Sequence, residues 1–218
     1  MKYVVLTLVA GLGAAAVAHA QTPTYRQLFD ACEKGGQAAD ARIAACDQAL
    51  AQASPNATAD RALILLARSD AHLAAKHVEA AIADADASSR LMDRYLATEN
   101  QRCWIRAISN KDLVVARQAC DTALDIQSNE PAVRDTNATL ALQEGNWQLA
   151  WNEFNYAFRG GIPGAVYGRG LAALALGRPE AEADLKSGAA AKADFDSYGL
   201  TQASVKARAA AAPPVKAN

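Results

Sequence analysis

The four cysteines are the residues of this chain whose types and spacing are best suited to chemistry. They occur as two pairs, Cys32 with Cys46 and Cys103 with Cys120, and the second member of each pair opens the same phrase, A-C-D-x-A-L. Such cysteines could form disulfides, hold a metal or act as reactive thiols. Neither pair is a C-x-x-C motif or has a histidine close by in the sequence, so the pattern favours disulfides.

The remaining candidates for chemistry are weak. His72 and His77 are five residues apart, so they do not share a helix face in the way of an i, i+4 metal-binding pair. The carboxylates at Asp84 and Asp86, and those at 180–184, are typical of solvated helix faces, because no histidine or oxyanion-type loop accompanies them. Phosphate-binding loops and nucleophile elbows are also missing from the sequence. We therefore expect no catalytic residues, metal or cofactor, and expect that the protein is not an enzyme.

The N-terminus predicts export. Lys2 supplies a positive start, residues 3–18 are almost entirely apolar, and the A-x-A sequence at 18–20 forms a cleavage site before Gln21. Residues 1–20 are therefore predicted to be a cleaved signal peptide, with an uncleaved membrane anchor as the alternative. Export to the periplasm or beyond the cell would place all four cysteines in an oxidising compartment, where disulfides form.

The composition predicts an all-α protein. Alanine is abundant, β-branched residues are few, and no window alternates apolar and polar residues as a half-buried strand does. The 22 basic and 23 acidic residues nearly cancel, which gives no support to nucleic acid or an anionic membrane as a partner. We expect no stable membrane insertion after signal cleavage. Residues 201–218, which are low in complexity and end in alanine and proline, are predicted to be a disordered tail.

A turn followed by three regularly spaced residues recurs along the chain. The turn at 144–146 precedes Ala150, Phe154 and Ala157, whose spacings of four and three place them on one helix face. Equivalent trios follow the other turns: Arg42, Cys46, Ala49; Ala81, Ala85, Ser88; Ala116, Cys120, Ala123; Ala181, Leu185, Gly188. The spacings from Ala81 to Ala116 and from Ala116 to Ala150 are 35 and 34 residues, which indicates a helical repeat.

These residues resemble tetratricopeptide repeats (TPR), whose helix-turn-helix unit of 34 residues carries an A-x3-F…P second half, as in Ala150, Phe154 and Pro163. The resemblance implies an α-α superhelix of about four to five helical hairpins over residues 21–200. The first helix of each unit has one position that usually carries a small residue. This small-residue slot is filled by Ser69, Ala138 and Gly170, and Trp104 is the exception. Arg42 occupies a small-residue slot in the first unit, which is either a divergent cap or a true repeat. Secreted Sel1-like repeats are the nearest competing family, although their cysteines are spaced more closely.

Hairpin symmetry predicts which cysteines pair. Facing residues of an antiparallel hairpin are equidistant from its turn. The midpoint of Cys32 and Cys46 is residue 39, just past the glycines at 35–36, and the midpoint of Cys103 and Cys120 falls inside the turn at 110–112. Of the three possible connectivities, Cys32–Cys46 and Cys103–Cys120 are therefore favoured, and buried reduced cysteines are the alternative. A disulfide that closes a loop of this size would stabilise the fold by about 3 kcal/mol.

The TPR resemblance also implies a place for a ligand, the concave face formed by the first helices. Residues expected to line it are Asp70, Arg102, Asp135, Thr139 and Tyr167. They form no basic cluster, and the Lys/Asn set that clamps a C-terminal carboxylate in some family members is not found. The expected function is a non-catalytic protein–protein interaction scaffold in the bacterial cell envelope that binds a peptide or partner helix. The alternatives are a Sel1-like secreted accessory protein or enzyme acting on the cell wall, and a structural subunit of a larger envelope complex.

Overall fold

The protein consists of helices that pair into antiparallel hairpins. The computed structural model describes residues 23–34 and 36–211. The helices in these ranges are α1 (Tyr25–Glu33), α2 (Ala39–Gln52), α3 (Thr58–Ala74), α4 (Val78–Leu91), α5 (Leu96–Ser109), α6 (Leu113–Ile126), α7 (Pro131–Glu144), α8 (Trp147–Arg159), α9 (Ala165–Ala175), α10 (Ala181–Ser187), α11 (Lys192–Ser197) and α12 (Gln202–Ala211). A single 3-10 turn, Ala189–Ala191, precedes α11. No strand occurs between residues 23 and 211 where the chain is described, so the all-α prediction is confirmed.

Five hairpins stack into an α-α superhelix. Each of the helices α1, α3, α5, α7 and α9 packs against the helix that follows it, and consecutive hairpins pack on one another. Contacts of α1 with α3, α5 with α7 and α7 with α9 place these first helices side by side. Their shared face is called the groove below. None of the described helices is both long and apolar enough to cross a membrane.

Four of the hairpin turns contain a residue in the left-handed conformation, one or two positions after the end of the first helix. These residues are Lys76, Asn110, Gly145 and Gly177, with φ between 53° and 76°. After each of them the next amide donates to the carbonyl five residues earlier, as His77 does to His72 and Asn146 to Ala141. This is the Schellman geometry that satisfies the last carbonyls of a helix.

The turns define a register that corrects one expectation from the sequence. The residue seven positions before each left-handed residue is buried, and these residues are Ser69, Cys103, Ala138 and Gly170. Cys103, and not Trp104, therefore occupies the small-residue slot of α5. Counting the slot back from Ala116 gives Trp104, which is wrong by one residue. The reason is that the turn before α6 contains an additional residue, Asp112, which is itself left-handed with φ 44°.

The glycines of α9 allow close helix packing. A Cβ atom on Gly168 would lie 2.4 Å from the ring of Phe154, and one on Gly170 would lie 2.8 Å from the backbone nitrogen of Leu185. Both distances are far below van der Waals contact, so α8 and α10 can approach α9 only because these positions carry no side chain.

The buried apolar side chains are unevenly distributed along the superhelix. The largest cluster lies at the C-terminal end and includes Phe154, Tyr167, Phe195, Leu200 and Val205. Smaller clusters lie in the N-terminal and central hairpins, where alanine dominates and each disulfide lies within one cluster. The C-terminal half is therefore held mainly by large side chains, and the rest by small side chains and cross-links.

The last part of the described chain is ordered where the sequence predicts disorder from residue 201. Gln202–Ala211 is helical, and both Leu200 and Val205 are fully buried. The guanidinium of Arg208 donates to the carbonyls of Leu142 and Gln143 at 2.9 and 2.6 Å. The low-complexity alanines favour this helix, and two buried side chains dock it. The predicted signal peptide at 1–20 and residues 212–218 lie outside the described residues.

Candidate functional site

Both cysteine pairs stand at disulfide distance in the local pairing. The sulfurs are 2.09 Å apart for Cys32 and Cys46 and 2.01 Å apart for Cys103 and Cys120, with Cα–Cα distances of 4.8 and 5.3 Å. The first pair joins α1 to α2 and the second joins α5 to α6, and all four side chains are buried. Their place inside apolar clusters gives them a structural role, since no substrate could reach the sulfurs.

The C-terminal half of the groove is filled by the chain itself. Residues 189–211, which we call the C-terminal segment, turn back across α5, α7 and α9. The ring of Tyr198 packs edge-on against Trp104 with centroids 5.7 Å apart, and its carbonyl accepts a hydrogen bond of 3.0 Å from Gln143 Nε2. Phe195 packs against Tyr167 at 5.5 Å. A ligand in the groove would meet this segment before it met α7 or α9.

The N-terminal half of the groove is open. A cavity of about 470 Å³ lies between α3 and α5 and also reaches α1 and α2. We call this cavity the open half, and its lining consists of Glu33, Arg42, Leu63, Leu66, Ala67, Asp70, Tyr95, Ala97, Asn100 and Gln101. Asp70, which the sequence predicts in the groove, contributes a carboxylate whose side chain is 58% exposed and accepts from Arg42 at 2.8 Å.

The structure separates the five residues predicted to line the groove. Thr139 and Tyr167 are each 1% exposed and lie in the half that the C-terminal segment covers. Arg102 is turned elsewhere, because its guanidinium binds Asp86 of α4 and Glu99 of α5 at 3.0 and 2.8 Å. Only Asp70 of the five lines the open half.

Asp135 illustrates how strongly the covered half is shielded from water. Burial raises the pKa of its carboxyl group from 3.8 to about 6. Burial also raises the pKa of the Tyr198 hydroxyl, and the charges of Asp194 and Asp135 add to that effect. The C-terminal segment thus creates an environment that disfavours charge on α7.

We expect Asp135→Asn to stabilise the protein at neutral pH. Because the pKa of Asp135 is higher in the folded than in the unfolded chain, stability falls from about pH 4, where the unfolded chain begins to ionise, and the full cost is reached above about pH 6. Below about pH 4 the residue is protonated in both states and costs little. A shift of about two pKa units corresponds to at most about 3 kcal/mol. In urea unfolding, the advantage of the variant should grow from about pH 4 to about pH 7. A difference that does not vary with pH would contradict this account.

Two side-chain amides in the open half were missed by sequence reasoning. Asn100 Oδ1 and Gln101 Nε2 are buried and have no hydrogen-bond partner among the described residues. Counting from Cys103 as the slot would have placed Asn100 at the same groove position as Asp135, three residues before the slot. These two atoms are an unused acceptor and an unused donor on side chains that line a cavity whose other lining residues are partly apolar and partly charged.

His72 and His77 are brought together by the turn between α3 and α4. Their ring centroids are 5.7 Å apart, and His72 Nε2 lies 3.8 Å from Asp84 Oδ2. Both oxygens of Asp84, however, accept from Arg68 at 2.7 Å. Burial lowers the pKa of His72. Within residues 23–34 and 36–211, no group of three or more histidine, cysteine or acidic side chains is arranged to hold a metal.

Comparison with known proteins identifies the fold. No protein-family model matches the chain, and no curated protein does either. Among solved structures, a tetratricopeptide repeat protein from Parabacteroides merdae is similar over 85% of this chain and 84% of its own, with a TM-score of 0.61 and 16% identity. A thermophilic TPR protein from Thermus thermophilus is similar over 77% of this chain and 90% of its own, with a TM-score of 0.57 and 15% identity. The chain thus has a TPR-like fold, as predicted from the sequence.

Proposed function

We propose that this protein is a non-catalytic interaction scaffold that binds a peptide or a partner helix of another protein. The observation that carries the proposal is the open half, an accessible cavity on the face that the first helices of a TPR-like superhelix share. Its lining combines apolar side chains with side-chain amides and charged groups, which suits both the side chains and the backbone of a polypeptide. The C-terminal segment limits the ligand to α3 and α5 and the ends of α1 and α2.

The proposed location is the bacterial cell envelope, in the periplasm or outside the cell. Two cysteine pairs at disulfide distance support a compartment outside the cytoplasm, because reducing conditions would open them. The predicted signal peptide at 1–20 agrees with this location. The partner would then be another exported protein, and neither nucleic acid nor stable membrane insertion is part of the proposal.

Site-specific crosslinking tests the proposed function. A photoreactive residue in place of Leu66, in the open half, should crosslink the protein to a discrete partner in intact cells of the producing bacterium. The same residue in place of Val114, which is 75% exposed on α6, is the matched control and should give no such product. Equal products from both positions, or none from either, would contradict the use of the open half.

A further inference from the structure

The open half contains hydrogen-bonding capacity that the protein does not use. Asn100 Oδ1 can accept and Gln101 Nε2 can donate, yet neither has a partner among the described residues. An unmade hydrogen bond on a buried polar atom costs about 1–3 kcal/mol. Two such atoms lie on consecutive residues of α5 whose side chains line the same cavity, and they therefore indicate groups that a ligand completes when the side-chain amides turn toward it.

One acceptor beside one donor matches a peptide unit. Every backbone amide other than that of proline offers one N–H and one C=O, and an extended chain leaves both free. A small rotation of the side-chain amides would present their polar atoms to such a chain. The surrounding apolar side chains, Leu63, Leu66, Ala67 and Ala97, offer contact for an apolar side chain of the same peptide.

The charge of the open half favours a particular type of residue in the peptide, next to its apolar side chain. Arg42 is the only basic residue of its lining, and its side chain is 8% exposed. Its guanidinium already donates to the carbonyl of Cys32 at 3.1 Å and to Asp70 at 2.8 Å. The lining thus carries two carboxylates, those of Glu33 and Asp70, against the one guanidinium of Arg42, and this excess of negative charge favours a cation.

We infer that the open half binds an extended peptide segment in which an apolar residue stands beside a lysine or arginine. This inference rests on the proposed function and adds the chemistry of the partner to it. The backbone of the segment pairs with Asn100 and Gln101, its apolar side chain contacts α3, and its cation lies near Glu33 and Asp70.

Binding of defined peptides to the full mature chain tests the inference. The probes are fluorescently labelled peptides of glycine and serine with one central leucine flanked by lysine, and the same peptides with glutamate in place of lysine. Fluorescence polarisation should show at least about tenfold tighter binding of the lysine peptide, as one good interaction of about 1.4 kcal/mol gives. Methylation of the nitrogen of the central peptide bond should weaken binding by about the same factor, because it removes a donor.

Variants of the two amides separate binding from folding. Asn100→Leu and Gln101→Leu should each weaken binding of the lysine peptide about tenfold, while the thermal midpoint stays the same or rises, because a buried polar atom without a partner is removed. Asn152→Leu on α8 and Gln118→Leu on α6, both at exposed positions, are the matched controls and should bind like the unaltered chain.

The outcomes distinguish this inference from the proposed function. Equal affinity for the lysine and glutamate peptides, or unchanged binding by both amide variants, would overturn the inference. If crosslinking from Leu66 still yields a discrete partner in that case, the proposed function stands with a different ligand chemistry. If neither peptide binds and Leu66 gives no crosslink, both are wrong.

Discussion

Phe195→Ala is expected to lower the free energy of unfolding by about 3 kcal/mol or more, because it removes a buried ring and leaves a cavity. The ring packs against Phe154 at 5.9 Å and Tyr167 at 5.5 Å and is the main apolar contact of α11 with the hairpins. Urea unfolding followed by circular dichroism measures the loss. Tryptophan emission should also change under native conditions, since Trp104 is in contact with Tyr198 of the same segment.

Phe158→Ala provides the comparison of equal size. Phe158 is 41% exposed and lies under the guanidinium of Arg169 at 5.1 Å. Its replacement should cost about 1 kcal/mol or less. If the two variants lose the same stability, the C-terminal segment is not docked in the groove as described.

The double replacement of Cys103 and Cys120 by alanine is expected to cost about 3 kcal/mol, because the unfolded chain regains the freedom of a loop whose ends are 17 residues apart. Alanine fits both sites, as Ala138 fills the equivalent slot of α7 and Ala85 the equivalent position of α4. The measurement is the urea midpoint without reductant. A midpoint equal to that of the unaltered chain would contradict a stabilising cross-link.

Reductant supplies the control for this variant. It should lower the midpoint of the unaltered chain, and it should lower that of the double variant less, because only Cys32–Cys46 remains to be opened. Peptide mapping without reductant should recover each local pair, Cys32 with Cys46 and Cys103 with Cys120. Free thiols in protein purified without reductant would contradict this pairing.

The hairpins could be predicted from the sequence because the residue patterns that indicate them are local. The turns at Asn110 and Gly145 combine a left-handed cap with regularly spaced small residues, and the positions of the cysteines about each turn are symmetric. Such features depend on a few neighbouring residues. The α-α superhelix and its number of hairpins could therefore be predicted.

The lining of the groove could be predicted only in part. A left-handed Asp112 adds one residue to the turn before α6, and this shift moves α5 relative to a count from Ala116. With Trp104 as the slot, the position that corresponds to Asp135 is Gln101, whereas with Cys103 it is Asn100. Arg102, which the sequence also predicts in the groove, is instead paired with Asp86. One additional residue in a turn does not alter the periodic pattern within each helix. It does shift the assignment of residues to helix faces by one position, which is about 100°.

The covering of α7 and α9 was not predictable from residue patterns. It depends on contacts between residues far apart in the chain, such as Arg208 with the carbonyl of Leu142. Low complexity suggested a disordered tail, because alanine offers little surface to bury. The large side chains Phe195, Tyr198 and Leu200 precede the predicted tail, so they gave no sign within it that residues 202–211 would dock.

The two cross-linked hairpins flank the open half. Glu33 and Arg42, which lie on either side of the turn between α1 and α2, form one wall, and Asn100 and Gln101 of α5 form the other. Each wall is tied to a neighbouring helix by a disulfide, whereas α3, between them, is not. A cavity with walls fixed in this way loses little conformational entropy when it receives a flexible segment, so more of the contact energy remains as affinity. The oxidation state of four buried cysteines, none of which is a lining residue of the cavity, would thereby influence how tightly the open half can hold the proposed partner.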